Sequence, residues 1–213
     1  MAEAARWPLV ELPALPPSVP RRGNAFTRAL GRTVLFLLGW RLTGAVPDTN
    51  RFVLVAYPHT SNWDGVVGIA ALLALGLRLS FYGKHSLFRG PLGWLLRSVG
   101  GIPVDRDQPG DLAAQAIARF RTGEPFLLGL APEGTRKKVD RWKTGFHRIA
   151  VAAGVPIVAV ALDFGQKQVG PIGLIEPTGD LDQDLAALYA LYAGVRGRHP
   201  ENQWPPPTPP PAP

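Results

Sequence analysis

The stretch Phe52-Val53-Leu54-Val55-Ala56-Tyr57-Pro58-His59-Thr60-Ser61-Asn62-Trp63-Asp64 decides how this chain reads. Residues 52–57 form an unbroken apolar run, which predicts a strand buried on both faces. Residues 66–77 are again apolar and predict a buried helix. His59 and Asp64 therefore fall at the carboxyl end of a strand, in the turn that starts a helix. Open α/β sheets carry their reactive groups at that edge. Imidazole is suited to moving a proton near neutral pH, and a carboxylate beside it holds its tautomer and steadies its charged form. A separation of five residues does not place two side chains on one helix face. It brings them together if the chain turns from strand into helix between them, folding Asp64 back toward the ring. On this reading His59 is a general base and Asp64 its partner.

Working outward, residues 1–23 contain Pro8, Pro13, Pro16, Pro17 and Pro20 and predict a loose lead, or one draped on the surface. Asn24 is a plausible N-cap for a helix over 24–40 with Phe26, Leu30, Val34, Leu37 and Leu38 near helical spacing and Arg28 and Arg32 among them. A basic amphipathic helix of this kind suits a membrane interface; packing on the domain is the plainer alternative. Residues 41–46 predict a short edge strand, 78–83 and 102–104 further strands, and 86–98 a helix that Pro91 breaks or delays. Asp111 is expected to cap a helix to Arg121, followed by a buried strand over 125–130. A helix over 144–153, strands over 157–164 and 168–176 and a last helix over 182–195 complete the series. Strands alternating with helices predict an α/β single domain over 41–196, with a mostly parallel or mixed central sheet covered by helices. Residues 197–213 read as a Pro-rich tail, extended from Trp204 onward.

Three later blocks carry further chemistry. Gly83-Lys84-His85-Ser86-Leu87-Phe88-Arg89-Gly90-Pro91 leads to Gly101-Ile102-Pro103-Val104-Asp105-Arg106, so Lys84 and Arg106 each follow a predicted strand. Ala131-Pro132-Glu133-Gly134-Thr135-Arg136 follows another. There Gly134 permits a tight turn, Thr135 offers a hydroxyl, and Arg136 can grip a phosphate through two parallel bonds. Val155-Pro156-Ile157-Val158 is the last block. Leu87, Phe88, Leu92, Trp94, Leu95 and Leu96 suit either an acyl groove or a core stripe.

With His59 and Asp64, these blocks in this order resemble the motifs of the glycerolipid acyltransferases, the group that contains 1-acylglycerol-3-phosphate acyltransferase. The resemblance covers roughly residues 40–165. It implies a glycerol-3-phosphate acyltransferase-like fold, a mixed sheet ringed by helices. It implies that His59, Asp64 and Glu133 belong to the catalytic site, that Lys84 and Arg106 bind the acceptor, and that Gly134, Thr135 and Arg136 receive the acceptor's phosphate. The implied reaction moves an acyl group from acyl-CoA or acyl-carrier protein to the hydroxyl of a lysophospholipid, with 1-acylglycerol-3-phosphate the first candidate. The thioester is a co-substrate, and no cofactor or metal is expected. Pro58 and Ala159 stand where many members carry asparagine and proline, positions at which subfamilies differ. Other acceptors, including lyso-ornithine lipid, stay open.

Bulk composition sets the outer limits. The chain has 213 residues, 46% of them hydrophobic, and a net charge of +7. The sequence pI is about 10.2 and the mean hydropathy +0.05. That charge favours anionic partners. A nucleic-acid-binding protein has the same charge, but no aromatic strand motif or paired C-x-x-C accompanies it, so no nucleic-acid partner is expected. A catalytically idle membrane scaffold is the other rival, and the intact His59, Asp64 and Glu133 speak against it. The absence of cysteine excludes a thiol nucleophile and a disulfide framework. No G-x-S-x-G, H-E-x-x-H, P-loop or G-x-G-x-x-G occurs. No apolar run approaches the ~18–20 residues of a membrane span. The expected location is the cytoplasmic face of a membrane, held at its surface rather than through it.

Overall fold

In the computed structural model, which describes residues 15–104 and 112–204, the run at 52–57 lies inside a strand, β2 (Arg51–Tyr57). Both of its faces are covered. Phe52 and Leu54 meet one apolar cluster, with Leu127 and Val158; Val53, Val55 and Tyr57 meet another, with Leu128 and Ile157. A strand with no wet face has no use for polar alternation, which is why its sequence is a continuous apolar run.

Around it the chain forms, in order, α1 (Ala25–Leu38), β1 (Arg41–Leu42), α2 (Asn62–Leu75), β3 (Ser80–Lys84), α3 (Gly90–Ser98) and β4 (Gly101–Val104). There follow α4 (Leu112–Arg121), β5 (Phe126–Leu130), α5 (Gly145–Ala153), β6 (Ile157–Asp163), β7 (Gln168–Ile175) and α6 (Leu181–Leu191). The strands make a seven-stranded sheet in the order β1-β7-β6-β2-β5-β3-β4. β2 runs parallel to β5 and β6, and β3 runs parallel to β5 and β4. β7 returns antiparallel to β6, and β1 follows β7. The sheet is thus mixed, with a parallel centre. The carboxyl ends of β2, β5, β3 and β4 share one edge, and the segments that leave them carry the motif residues.

Helices cover both faces. α4, α5 and α6 pack through Phe120, Phe146, Ile149 and Leu188, with Tyr192 just past the end of α6, on the face of Val53, Val55 and Tyr57. α1 and α2 lie on the other face, joined through Leu35, Val67, Ala70, Ala71 and Ala74. Their axes approach closely at Gly31, where a Cβ would lie 2.4 Å from the Ala74 nitrogen and 2.6 Å from the Ala70 oxygen. α1 starts with a capping box, Thr27 N donating to Asn24 Oδ1 at 3.0 Å and Asn24 N to Thr27 Oγ1 at 2.9 Å.

Several boundaries differ from expectation for local reasons. The helix expected over 86–98 is a single 3₁₀ turn, His85–Leu87, and then α3, with Pro91 in its first turn, where a missing N–H costs nothing. The edge strand expected over 41–46 ends at Leu42. The lead is draped rather than loose from Leu15: Val19 is buried and Arg22 N donates to Gly76 O at 2.8 Å. The tail expected from Gly197 packs against the domain as far as Trp204 and includes a 3₁₀ turn, Pro200–Asn202. Asp111 and Arg106 lie outside the described residues.

Candidate active site

β2 delivers His59 two residues past its last strand position, and Ser61 then caps α2. Ser61 Oγ accepts from Trp63 N at 3.1 Å, and Asp64 sits at the third position of the helix, completing a capping box. Asp64 Oδ2 accepts from Ser61 N at 2.7 Å and Oδ1 from Ser61 Oγ at 2.9 Å. The same Oδ2 lies 3.4 Å from His59 Nδ1. The strand-to-helix turn therefore brings the two side chains together across their separation in sequence. The Asp64 side chain is fully buried, whereas a quarter of the His59 side chain, 24%, reaches the surface. The carboxylate is held from behind and the ring faces outward from it.

Glu133 approaches from β5. Its Oε2 accepts the backbone N–H of His59 at 2.7 Å. This one bond ties the histidine loop to the neighbouring strand's loop. Glu133 is 2% exposed, and its Oε1 has no hydrogen-bond partner among the described residues. Burial pushes its carboxyl up to about 7; the hydrogen bond from His59 N opposes this and the Asp64 charge adds to it. Beneath it lies an aromatic floor. Tyr57 and Trp142 ring centres are 5.0 Å apart, as are those of Tyr57 and Tyr192. Burial raises both tyrosine phenols, so they stay protonated donors. Tyr192 OH donates to Val55 O at 2.6 Å, and Tyr57 OH donates to Trp204 O at 2.5 Å.

Gly134 adopts a left-handed conformation, φ +63°, and a Cβ there would lie 3.0 Å from the aliphatic end and Nζ of Lys143. Lys143 is thus laid over the turn that Gly134 makes, with its own N–H donating to Pro132 O at 2.8 Å. Thr135 Oγ1 accepts from Lys137 N at 3.3 Å, and Arg136 is exposed. Lys84 ends β3, in register with Val104 at the end of β4, and is exposed at the same sheet edge. Arg106 would follow Val104 and lies outside the described residues. His59, Asp64 and Glu133 are thus brought into one connected group; Lys84, Thr135 and Arg136 stand at the same edge.

A groove of about 530 Å³ opens beside Pro132, between the end of β5 and the first turns of α4 and α5. Leu112, Leu130, Phe146 and Ile149 form apolar walls, and Lys143 and Arg148 supply charge. The apolar residues of 87–96 do not line it. Phe88 and Leu96 are buried, while Leu92 and Trp94 are exposed. In sequence Lys143 falls in a basic run with Lys137, Lys138 and Arg141, part of which reads as a solvated face, and Trp204 reads as the start of an extended tail; the structure lays Lys143 over Gly134 and packs Trp204 against Tyr189.

The Acyltransferase family model matches residues 41–163. A 1-acyl-sn-glycerol-3-phosphate acyltransferase of Streptococcus pneumoniae (strain ATCC BAA-255 / R6) is 28% identical over 138 residues, 61% of this chain and 51% of the relative. One from Bacillus subtilis (strain 168) is 30% identical over 119 residues, 54% of this chain and 57% of the relative. The chain thus spans about half the length of these curated relatives. The crystal structure of the 1-acyl-sn-glycerophosphate (LPA) acyltransferase PlsC from Thermotoga maritima shares the fold, with a TM-score of 0.56 and 21% identity, over 80% of this chain and 75% of that one. With the family model matching more than half of its length, and the strand-to-helix turn of His59 and Asp64 inside that match, this chain belongs to the acyltransferase family.

Proposed function

We propose that the chain is an O-acyltransferase that moves a fatty acyl group from acyl-CoA or acyl-carrier protein to the hydroxyl of 1-acylglycerol-3-phosphate, giving phosphatidic acid. The observation that carries this reading is the buried Asp64 carboxylate 3.4 Å behind His59 Nδ1. In the neutral tautomer that keeps its proton on Nδ1, facing Asp64, the lone pair is on Nε2. Nε2 takes the acceptor's hydroxyl proton as the oxygen attacks the thioester carbonyl. The C–S bond then breaks, the thiolate leaves, and the imidazolium returns the proton to it. Atoms and charge balance without an acyl-enzyme. Ser61, the serine nearest His59 in sequence, is committed elsewhere: its Oγ donates to Asp64 and accepts from Trp63 N. Glu133 fixes the His59 backbone in this scheme, Gly134, Thr135 and Arg136 receive the acceptor's phosphate, and Lys84 and Arg106 help to bind the acceptor.

The acceptor is a membrane lipid, and we place the enzyme at the cytoplasmic membrane surface. No helix among the described residues is long and apolar enough to cross a membrane. Supporting a surface location, α1 buries Leu35 against α2 yet leaves Phe26 and Leu37 each 75% exposed. Trp94 on α3 is 72% exposed. Arg32 is exposed on the same helix, while Arg28 lays its stem against Gly76 at the end of α2. The test is purified protein offered acyl-CoA and acyl-carrier protein with a panel of lysolipids, read by mass spectrometry. Phosphatidic acid as the main product is expected. Acylation of a phosphate-free lysolipid alone would overturn the choice of acceptor.

A further inference from the structure

We infer that residues 197–204 form a strap that positions the His59 loop, with Thr60 and Gln203 as its positioning residues. This rests on the reading of His59 as the base. His59 is held on one side by its backbone bond to Glu133, and the loop is anchored ahead of it by the Ser61–Asp64 cap. Thr60 lies between those anchors and is held by the strap: its Oγ1 accepts from His199 N at 3.1 Å. Gly197 lies against the same residue so closely that a Cβ would sit 2.9 Å from Thr60 Oγ1 and 3.1 Å from Pro58 Cγ. The Arg198 guanidinium stands 5.3 Å over the Trp63 ring, and Trp204 O accepts from Tyr57 OH. The strap thus touches the chain on both sides of His59.

The strap is itself fastened. Gln203 is 9% exposed and uses both ends of its amide: Oε1 accepts from Gly197 N at 2.8 Å and Nε2 donates to Val195 O at 2.8 Å. A buried amide is tolerated when both groups are bonded, and here that bonding closes the strap into a loop. Arg196 O accepts from Phe164 N at 2.8 Å, tying its start to the end of β6. Its far end is wedged by Trp204, whose ring centre is 4.9 Å from that of Tyr189. A segment that is bonded at both ends and clasps the catalytic turn sets where His59 sits relative to the acceptor. Misplacing a catalytic group by about 1 Å costs roughly 10²-fold in rate.

The test uses the full chain with Thr60→Val, Thr60→Ser, Gln203→Ala and His59→Ala, each checked for folding by thermal melting. Thr60→Val keeps the side chain's shape and loses the hydroxyl that accepts from His199 N. We expect it and Gln203→Ala to lower kcat about 10- to 100-fold while KM for donor and acceptor stays within about twofold, with Thr60→Ser close to wild type. Unchanged kcat in Thr60→Val and Gln203→Ala, or a loss that follows only the unfolded fraction, with His59→Ala inactive, would overturn the strap and leave the catalytic reading standing. Equal activity of His59→Ala and wild type would overturn the reading beneath it.

Discussion

Asp64 serves two tasks at once. It closes the cap of α2 through Ser61, and it backs the His59 ring. A helix cap of this kind is worth about 0.5–2 kcal/mol, so the carboxylate behind His59 is held in place by the start of the helix itself. Glu133 is the second buried carboxyl, and its pKa makes a pH prediction with a definite sign. Its folded value, pushed up to about 7, lies above the ordinary 4.5. The folded state therefore binds this proton more tightly than the unfolded chain does. The contribution to stability is complete below about 4.5 and is lost as pH rises through about 7. Glu133→Gln keeps an oxygen for the His59 N–H and removes the titration. Denaturant titrations across that window should show wild type losing stability relative to the variant as pH rises. Parallel curves would show that Glu133 does not titrate there. Asp184 acts in the opposite sense. Burial works to raise its carboxyl, but the bonds from His147, at 2.7 Å, and Thr178 prevail and hold it below its ordinary range, so its contribution is lost on acidification.

Among the elements, α1 faces two ways. One side meets α2 so closely at Gly31 that any side chain collides with backbone, and Gly31→Val should cost about 1–3 kcal/mol or more in a denaturant titration. The other side exposes Phe26, Leu30 and Leu37. Leu37→Asp should weaken binding to vesicles containing anionic lipid, and raising salt should weaken wild-type binding, since exposed charges are screened within about 8–10 Å. Vesicle binding by Leu37→Asp equal to that of wild type would remove this face from the membrane contact. Both readings of this helix were open in the sequence, because apolar residues at helical spacing do not say which of them meet a neighbour. Gly31 carries that information only once α2 is in place. By contrast β2, α2 and the turn between them were legible, since an apolar run, a polar turn and a second apolar run are local patterns. The strap was not. Its bonds join residues 139 and 147 positions apart, and its proline-rich context reads as a tail.

At the scale of the whole molecule, the parallel centre of the sheet does the organising. Because β2, β5, β3 and β4 run the same way, the segments after them bring His59, Glu133, Arg136 and Lys84 to one edge. Order along the chain made that legible; which of these groups bond to each other was not, since the Glu133 bond to the His59 amide spans 74 positions. If the exposed Arg136 grips the acceptor's phosphate from that edge, Arg136→Ala should chiefly raise KM for the phosphorylated acceptor. Arg136→Lys should not restore it fully, because an ammonium cannot make the two parallel bonds. Equal losses toward a phosphate-free acceptor would assign Arg136 another role. The central claim, that this edge transfers an acyl group with His59 as base, is tested most directly by one comparison. Purified wild type and His59→Ala are given acyl thioester and 1-acylglycerol-3-phosphate, and phosphatidic acid formation is timed by mass spectrometry. The account predicts turnover by wild type and a fall of roughly 10²- to 10⁴-fold in a variant that melts like wild type; near-normal turnover by His59→Ala would contradict it.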